Sequence, residues 1–338
     1  MPRILLTGVL FLHTALPAAT FDLTGHWDTT RVLENPHKGW YHHYYDNGTW
    51  GYGADSDAEL DTFPGMDHLY LRIAWSYIEA AGDDQYDWSL IDDVVDHWVP
   101  RGYRIGMRIT AKETGGHSGS VGQVVNNVYY ATPKWVRDNG CAGTVVDNWG
   151  KQHWEPVWDD PRYLSALRDF TEDFAARYDG KPWLAYVDIG SIGDWGEGHT
   201  GFSSGIKPAV STCITHMELF AEIFEHCPIV VTDGFLNYKK NDTETQTLLN
   251  KAIALGISVR DDSPLNRWYM ESASETFSVE EPAMFQRVYP LTPVILEAAH
   301  YTSEVKEKNY WLGANGERVL PDYGISGADF LRGAIATL

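Results

Sequence analysis

Short β-rich runs separated by stretches of helical periodicity recur along this chain, and that alternation restricts the fold more than any other feature of the sequence. Seven such runs are found: Gly39-Trp-Tyr-His-His-Tyr-Tyr-Asp46, His68-Leu-Tyr-Leu-Arg-Ile-Ala-Trp75, Tyr103-Arg-Ile-Gly-Met-Arg-Ile-Thr110, Trp183 to Ile189, Pro228-Ile-Val-Val-Thr-Asp233, Gly256-Ile-Ser-Val-Arg-Asp261 and Thr292 to Ala298. Between them, apolar residues recur every three to four positions over Trp88 to Val99, Pro161 to Tyr178, Ile214 to Phe224 and Thr243 to Leu255. Asp160 followed by Pro161 marks one helix start, an N-cap with proline at the first helical position. Strands that alternate with helices must lie parallel, joined by crossovers, and seven of them predict a (β/α)8 barrel. A doubly wound sheet is the competitor, but its glycine-rich dinucleotide fingerprint is missing. The stretch from Ser326 to Leu338 reads as the seventh helix with no strand after it. The barrel is therefore expected to lack its eighth strand, truncated at the C-terminus.

Residues 1–20 read as a signal peptide. Arg3 supplies the positive start, Ile4 to Leu16 the apolar run, and Pro17-Ala-Ala-Thr20 the small-residue cleavage site. The protein is thus expected to be secreted or periplasmic, with residues 21–338 forming the barrel and no membrane span after signal removal. A net charge of -21, from 26 basic and 47 acidic residues, argues against nucleic acid and anionic membranes. Three cysteines, Cys141, Cys213 and Cys227, are too few for a disulfide framework and lack zinc-ligand spacing. Cys213 and Cys227 could pair or stay buried as thiols.

Two of the strands end in carboxylates. The fourth runs into Gly190-Ser-Ile-Gly-Asp-Trp-Gly-Glu197-Gly-His199, where Glu197 stands between two glycines with no helical or packing role. The seventh ends at Glu297, with His300 shortly after. Two carboxyl groups roughly 5 to 5.5 Å apart at the C-terminal mouth of a barrel suit retaining cleavage of a glycosidic bond, one as acid/base and one as nucleophile. Arg72, a cation inside a predicted barrel, needs a carboxylate, either Glu297, which it would keep ionised, or a partner in a structural salt bridge at the barrel base. Asp233 and Asp261 or Asp262 end strands five and six, where they could bind sugar hydroxyls. Asp194, His199 and His300 join them as candidate substrate contacts, and Trp75, Trp195 and Trp268 as candidate stacking platforms. A metal at the mouth could draw on His42, His43, His117, Asp188, His199 and His300, but adjacent His42 and His43 point to opposite faces of a strand. Neither metal nor cofactor is expected. No nucleophile-elbow serine motif is present.

Leu71-Arg-Ile-Ala-Trp75 with Tyr86-Asp-Trp88, the Trp195-Gly-Glu197-Gly-His199 tip and Asn35-Pro-His-Lys-Gly-Trp40 resemble clan A glycoside hydrolases, especially family 42 and secreted β-galactosidase-like barrels. The resemblance covers roughly residues 35 to 300. It implies a hydrolase of β-linked, galactoside-like oligo- or polysaccharides, with Glu197 as acid/base and Glu297 as nucleophile. Most members of the clan place Asn before the acid/base Glu, where this chain has Gly196. An inverting glycosidase and a noncatalytic glycan-binding barrel are the alternatives.

Overall fold

A computed structural model of the chain describes residues 40–46, 48–49, 60, 66–114, 120–236, 243–261, 288 and 294–297. The expected signal segment, the motif from Asn35 to Gly39, and Asp262, Trp268, His300, His117 and the helix from Ser326 lie outside the described residues, as does the side chain of Asp261. In chain order the elements are β1 (Trp40–Tyr45), β2 (Met66–Ala74), α1 (Ser89–Trp98), β3 (Arg104–Thr110), β4 (Gln123–Val125), β5 (Val128–Tyr130), α2 (Lys134–Asp138), β6 (Gly143–Asn148) and β7 (Lys151–Pro156). There follow α3 (Pro161–Tyr178), β8 (Leu184–Asp188), α4 (Val210–Ile223), β9 (Ile229–Thr232), α5 (Thr243–Ala254), β10 (Ser258–Asp261) and β11 (Ile295–Leu296).

Seven strands form one sheet in the order β1-β2-β3-β8-β9-β10-β11, and every neighbouring pair is parallel. Each strand pairs with the one before it in the sheet, so the topology is that of a (β/α)8 barrel, with seven of its strands among the described residues. The seven sequence runs and the seven strands coincide. α3 starts where Asp160 and Pro161 put it, with Asp160 Oδ1 accepting from the Arg162 amide at 2.8 Å. α4 starts at Val210, a turn before the expected Ile214, without a side-chain cap to announce it. Among the described residues no helix is long and apolar enough to cross a membrane. All three cysteines are free and buried.

Side chains alternate across the sheet, as strand geometry requires. One face carries Leu69, Leu71, Ile73, Ile105, Met107, Val187, Val231 and Val259, which pack on Ile91 and Trp98 of α1, Phe170 and Phe174 of α3, Phe220 of α4 and Leu248 of α5. The opposite face carries Tyr70, Tyr186 and Val230 in one small cluster, with charged residues beyond it toward the C-terminal strand ends. Gly106 makes room there: a Cβ on it would come within 2.3 Å of the Tyr186 ring.

A second sheet, of order β4-β5-β7-β6, occupies the β3–α3 connection, where the sequence reading placed no element. Its signals are local. Asn126-Asn127 and Trp149-Gly150 are two-residue hairpin loops with both residues at positive φ (51° and 62°; 49° and 81°), the mirror-image turn that suits twisted hairpins.

Candidate active site

The inward residues of β2, β3 and β8 are matched by register, Arg72 against Arg108 and Arg108 against Asp188. Two strands on, Arg260 of β10 points the same way. These residues form a chain of ion pairs from Asp46 to Glu297, which His43 closes into a ring. Arg72 Nη1 reaches Glu197 Oε1 at 2.8 Å and its Nη2 reaches Asp46 Oδ1 at 2.5 Å. Asp46 lies 3.4 Å from His43 Nδ1, and His43 Nε2 lies 3.6 Å from Glu297 Oε2. Glu297 pairs with Arg260, which sits 3.7 Å from Asp188. Asp188 takes Arg108 at 2.6 Å, and Arg108 returns to Glu197 at 3.4 Å. Arg108, Arg260 and Asp188 are wholly buried. Charges this deep are tolerable only when each faces its opposite, so the ring stands or falls as a unit.

The tip after β8 sets Glu197. Gly196 has φ 74°, and a Cβ there would sit 2.7 Å from Gly190 Cα. Only glycine fits at position 196. The Thr232 hydroxyl donates to the Glu197 carbonyl at 2.8 Å, tying the tip to β9. Burial would raise the Glu197 carboxyl, but His199 with Arg72 and Arg108 outweighs it and holds the group down at about 2. Burial would lower His199, but the Asp194 and Glu197 carboxylates on its two nitrogens, at 3.6 and 3.4 Å, push it up to about 10. His199 is therefore an imidazolium at neutral pH, bridging two anions. His43, by contrast, is lowered by its burial to about 4 and is neutral.

Of the residues singled out by sequence, Glu197, His199, Arg72 and Glu297 meet in this network. Arg72 does not pair with Glu297, the first of the two partners the sequence allowed. It takes Asp46 and Glu197, while Arg260, on the strand adjoining β11, takes Glu297. Asp194 is no open substrate contact either: it is buried and accepts from the Thr114 hydroxyl at 2.7 Å and the Phe202 amide at 2.8 Å, with Lys112 Nζ 3.7 Å away. It staples the loop. Trp75 is 1% exposed, packs on Phe170 at 5.0 Å between ring centroids and donates to Glu79 Oε2 at 2.7 Å. A platform needs a free face, so Trp75 belongs to the core. Trp195 is half-buried, donates to the Thr114 carbonyl at 2.9 Å, and stands in a cluster with Trp149, Phe202 and His199. The Asp233 amide donates to the Arg260 carbonyl at 2.9 Å, at the end of β9.

Sequence reasoning passed over Asp46, Arg108, Arg260 and Glu113. Arg108 and Arg260 carried the same signal as Arg72, a cation in the middle of an apolar strand. Glu113 follows β3 and is wholly buried, with Thr110 Oγ1 donating to its Oε1 at 2.6 Å. Its Oε2 has no hydrogen-bond partner among the described residues. Burial pushes its carboxyl up to about 7, against the opposing pull of Arg72.

No family model and no curated protein matches the chain. Solved structures do. The catalytic domain of a β-amylase from Paenibacillus polymyxa aligns at 13% identity over 77% of this chain and 89% of its own, with a TM-score of 0.38. Endo-glycoceramidase II from Rhodococcus sp. aligns at 14% identity over 84% of this chain and 76% of its own, also at 0.38. A Thermobacillus composti GH10 xylanase aligns at 12% identity over 67% and 61%, at 0.37. Similarity this low carries neither fold nor chemistry across. Both rest on the geometry of the chain itself.

Proposed function

We propose that this protein is a glycoside hydrolase acting on β-linked glycans, with Glu197 and Glu297 as its carboxylate pair. One observation carries the reading: carboxylates from the ends of two separate barrel strands enter a single buried ring through Arg72, Asp46 and His43. Glu297, paired with Arg260, is the nucleophile that attacks the anomeric carbon. Glu197 is the acid/base. In the resting site Glu197 is ionised and the proton resides on His199, whose Nε2 lies 3.4 Å from Glu197 Oε2, so protonation of the leaving oxygen requires that the bound substrate first relieve the charges that hold Glu197 down. The resemblance to family 42 makes aryl β-galactosides the first substrates to try. With residues 1–20 read as a signal, the reaction takes place outside the cytoplasm.

Glu297→Gln is expected to lower kcat on aryl β-glycosides by orders of magnitude, and Glu197→Ala to be partly rescued by azide on substrates with good leaving groups. Unchanged turnover in Glu297→Gln overturns the nucleophile. The firmly ionised Glu197 favours one second reading, an inverting enzyme in which this group activates water. The anomeric configuration of the first-formed product decides between the two.

A further inference from the structure

Three aromatic rings lie together at the surface beside Glu197. Trp149, at the β6–β7 turn, is 67% exposed and Phe202 is 54% exposed. Trp149 stands 6.3 Å from Trp195 and 5.9 Å from Phe202, and Trp195 stands 5.3 Å from Phe202, all between ring centroids. His199 adjoins both Trp195 and Phe202, at 6.2 and 5.9 Å, and its other side touches Glu197. The rings are thus continuous with the reacting centre.

Their placement is held from several directions. The Asn148 side-chain amide donates to the Phe202 carbonyl, and Lys112 Nζ donates to Asn148 Oδ1 at 3.0 Å. The Phe202 amide is fixed on Asp194 and the Trp195 indole on the Thr114 carbonyl. Three chain segments are therefore locked together beneath the rings. Both tryptophans also sit at positive φ, 49° at Trp149 and 52° at Trp195, a conformation that bulky residues adopt at a cost. The hairpin turn accounts for the backbone at Trp149, but core packing does not account for the exposure of its ring.

We propose that Trp149 and Phe202, with Trp195, form a stacking platform for a neutral pyranose unit of an extended glycan, next along from the unit held at Glu197. The C–H faces of a pyranose match an aromatic face, and preorganised rings bind without an ordering cost. This assignment rests on the glycosidase reading and adds to it a preference for chains over single sugars.

The probes are S-linked β-1,4 tetrasaccharides of galactose, glucose and xylose, which resist cleavage, with binding followed by calorimetry. kcat/KM on an aryl monoglycoside and on the O-linked tetrasaccharides is measured in parallel. Trp149→Ala and Phe202→Ala are each expected to weaken binding of the preferred tetrasaccharide about tenfold, to lower kcat/KM on the matching O-linked chain equally, and to leave the monoglycoside unaffected. Trp149→Phe is expected to restore most of the loss. If no tetrasaccharide binds, or if the variants bind all of them as the wild type does, the platform is wrong. Binding that depends on Trp149 without cleavage of any sugar sinks the hydrolase reading and keeps the platform. Cleavage of chains and monoglycosides that falls equally in Trp149→Ala keeps the hydrolase and sinks the platform.

Discussion

The two faces of the main sheet are built from alternating residues of the same strands, yet different physics holds them. Leu71 and Arg72, Met107 and Arg108, Val187 and Asp188, and Val259 and Arg260 are neighbours in sequence, the first of each pair facing the helices and the second the barrel interior. The outer face is held by area removed from water, which is non-directional, so many combinations of similar volume serve. The inner face is held by a chain of opposite charges, joined end to end by the neutral His43, each charge needing a particular partner. One face tolerates repacking, and the other tolerates only replacement of whole pairs.

The widest expected gap lies between adjacent residues of β3. Arg108→Met leaves the buried Asp188 with only the more distant Arg260 as a cation and takes one of three cationic neighbours from Glu197, and is expected to cost about 3 to 5 kcal/mol in urea unfolding. Met107→Leu, one residue away and equally buried, is expected to cost less than about 1.5 kcal/mol. Equal losses at the two positions would erase the distinction between the faces.

A pH profile sharpens it. Glu197, held down at about 2, contributes stability that is full above its unfolded value and is lost as pH falls toward 2. His199, raised to about 10, contributes stability that is full below its unfolded value and is lost as pH rises through 10. Glu113 is raised because burial outweighs the pull of Arg72, so its effect is penalising: stability falls as pH climbs from its unfolded value of 4.5 to about 7. Glu113→Gln is therefore expected to flatten that decline and to raise stability at pH 8 by about 2 to 3 kcal/mol. A decline of unchanged slope in the variant would place its origin elsewhere.

The smallest effect belongs to the exposed turn, where neither apolar burial nor charge is at stake. Trp149→Gly relieves a left-handed tryptophan and is expected to change stability by no more than about 1 kcal/mol, toward greater stability, in thermal unfolding. A large loss would show the ring to be part of the core.

The sequence displayed the seven main strands because each is an apolar run bounded by a turn or helix signal, and it displayed Glu197 because glycines flank it. Partner choice was not legible. That Arg72 meets Asp46 and Glu197 depends on strand register, which a single strand does not encode. Trp75 was misplaced for a related reason. Its position at a strand end suits a site, but the turn at Trp75–Tyr77 carries the ring into the core against Phe170. In the second sheet β4 and β5 escaped because they have three residues each, too short for periodicity to register.

The closed ring has a consequence for the protein as an electrical object. Five carboxylates, Asp194 included, face three guanidiniums and the His199 imidazolium, so the charges nearly cancel and their field fades within a short distance. The net charge of -21 carried by the chain as a whole is then largely independent of this near-neutral cluster. An uncharged molecule could reach the cluster indifferent to ionic strength, and the surface could be recharged for solubility without retuning the groups inside.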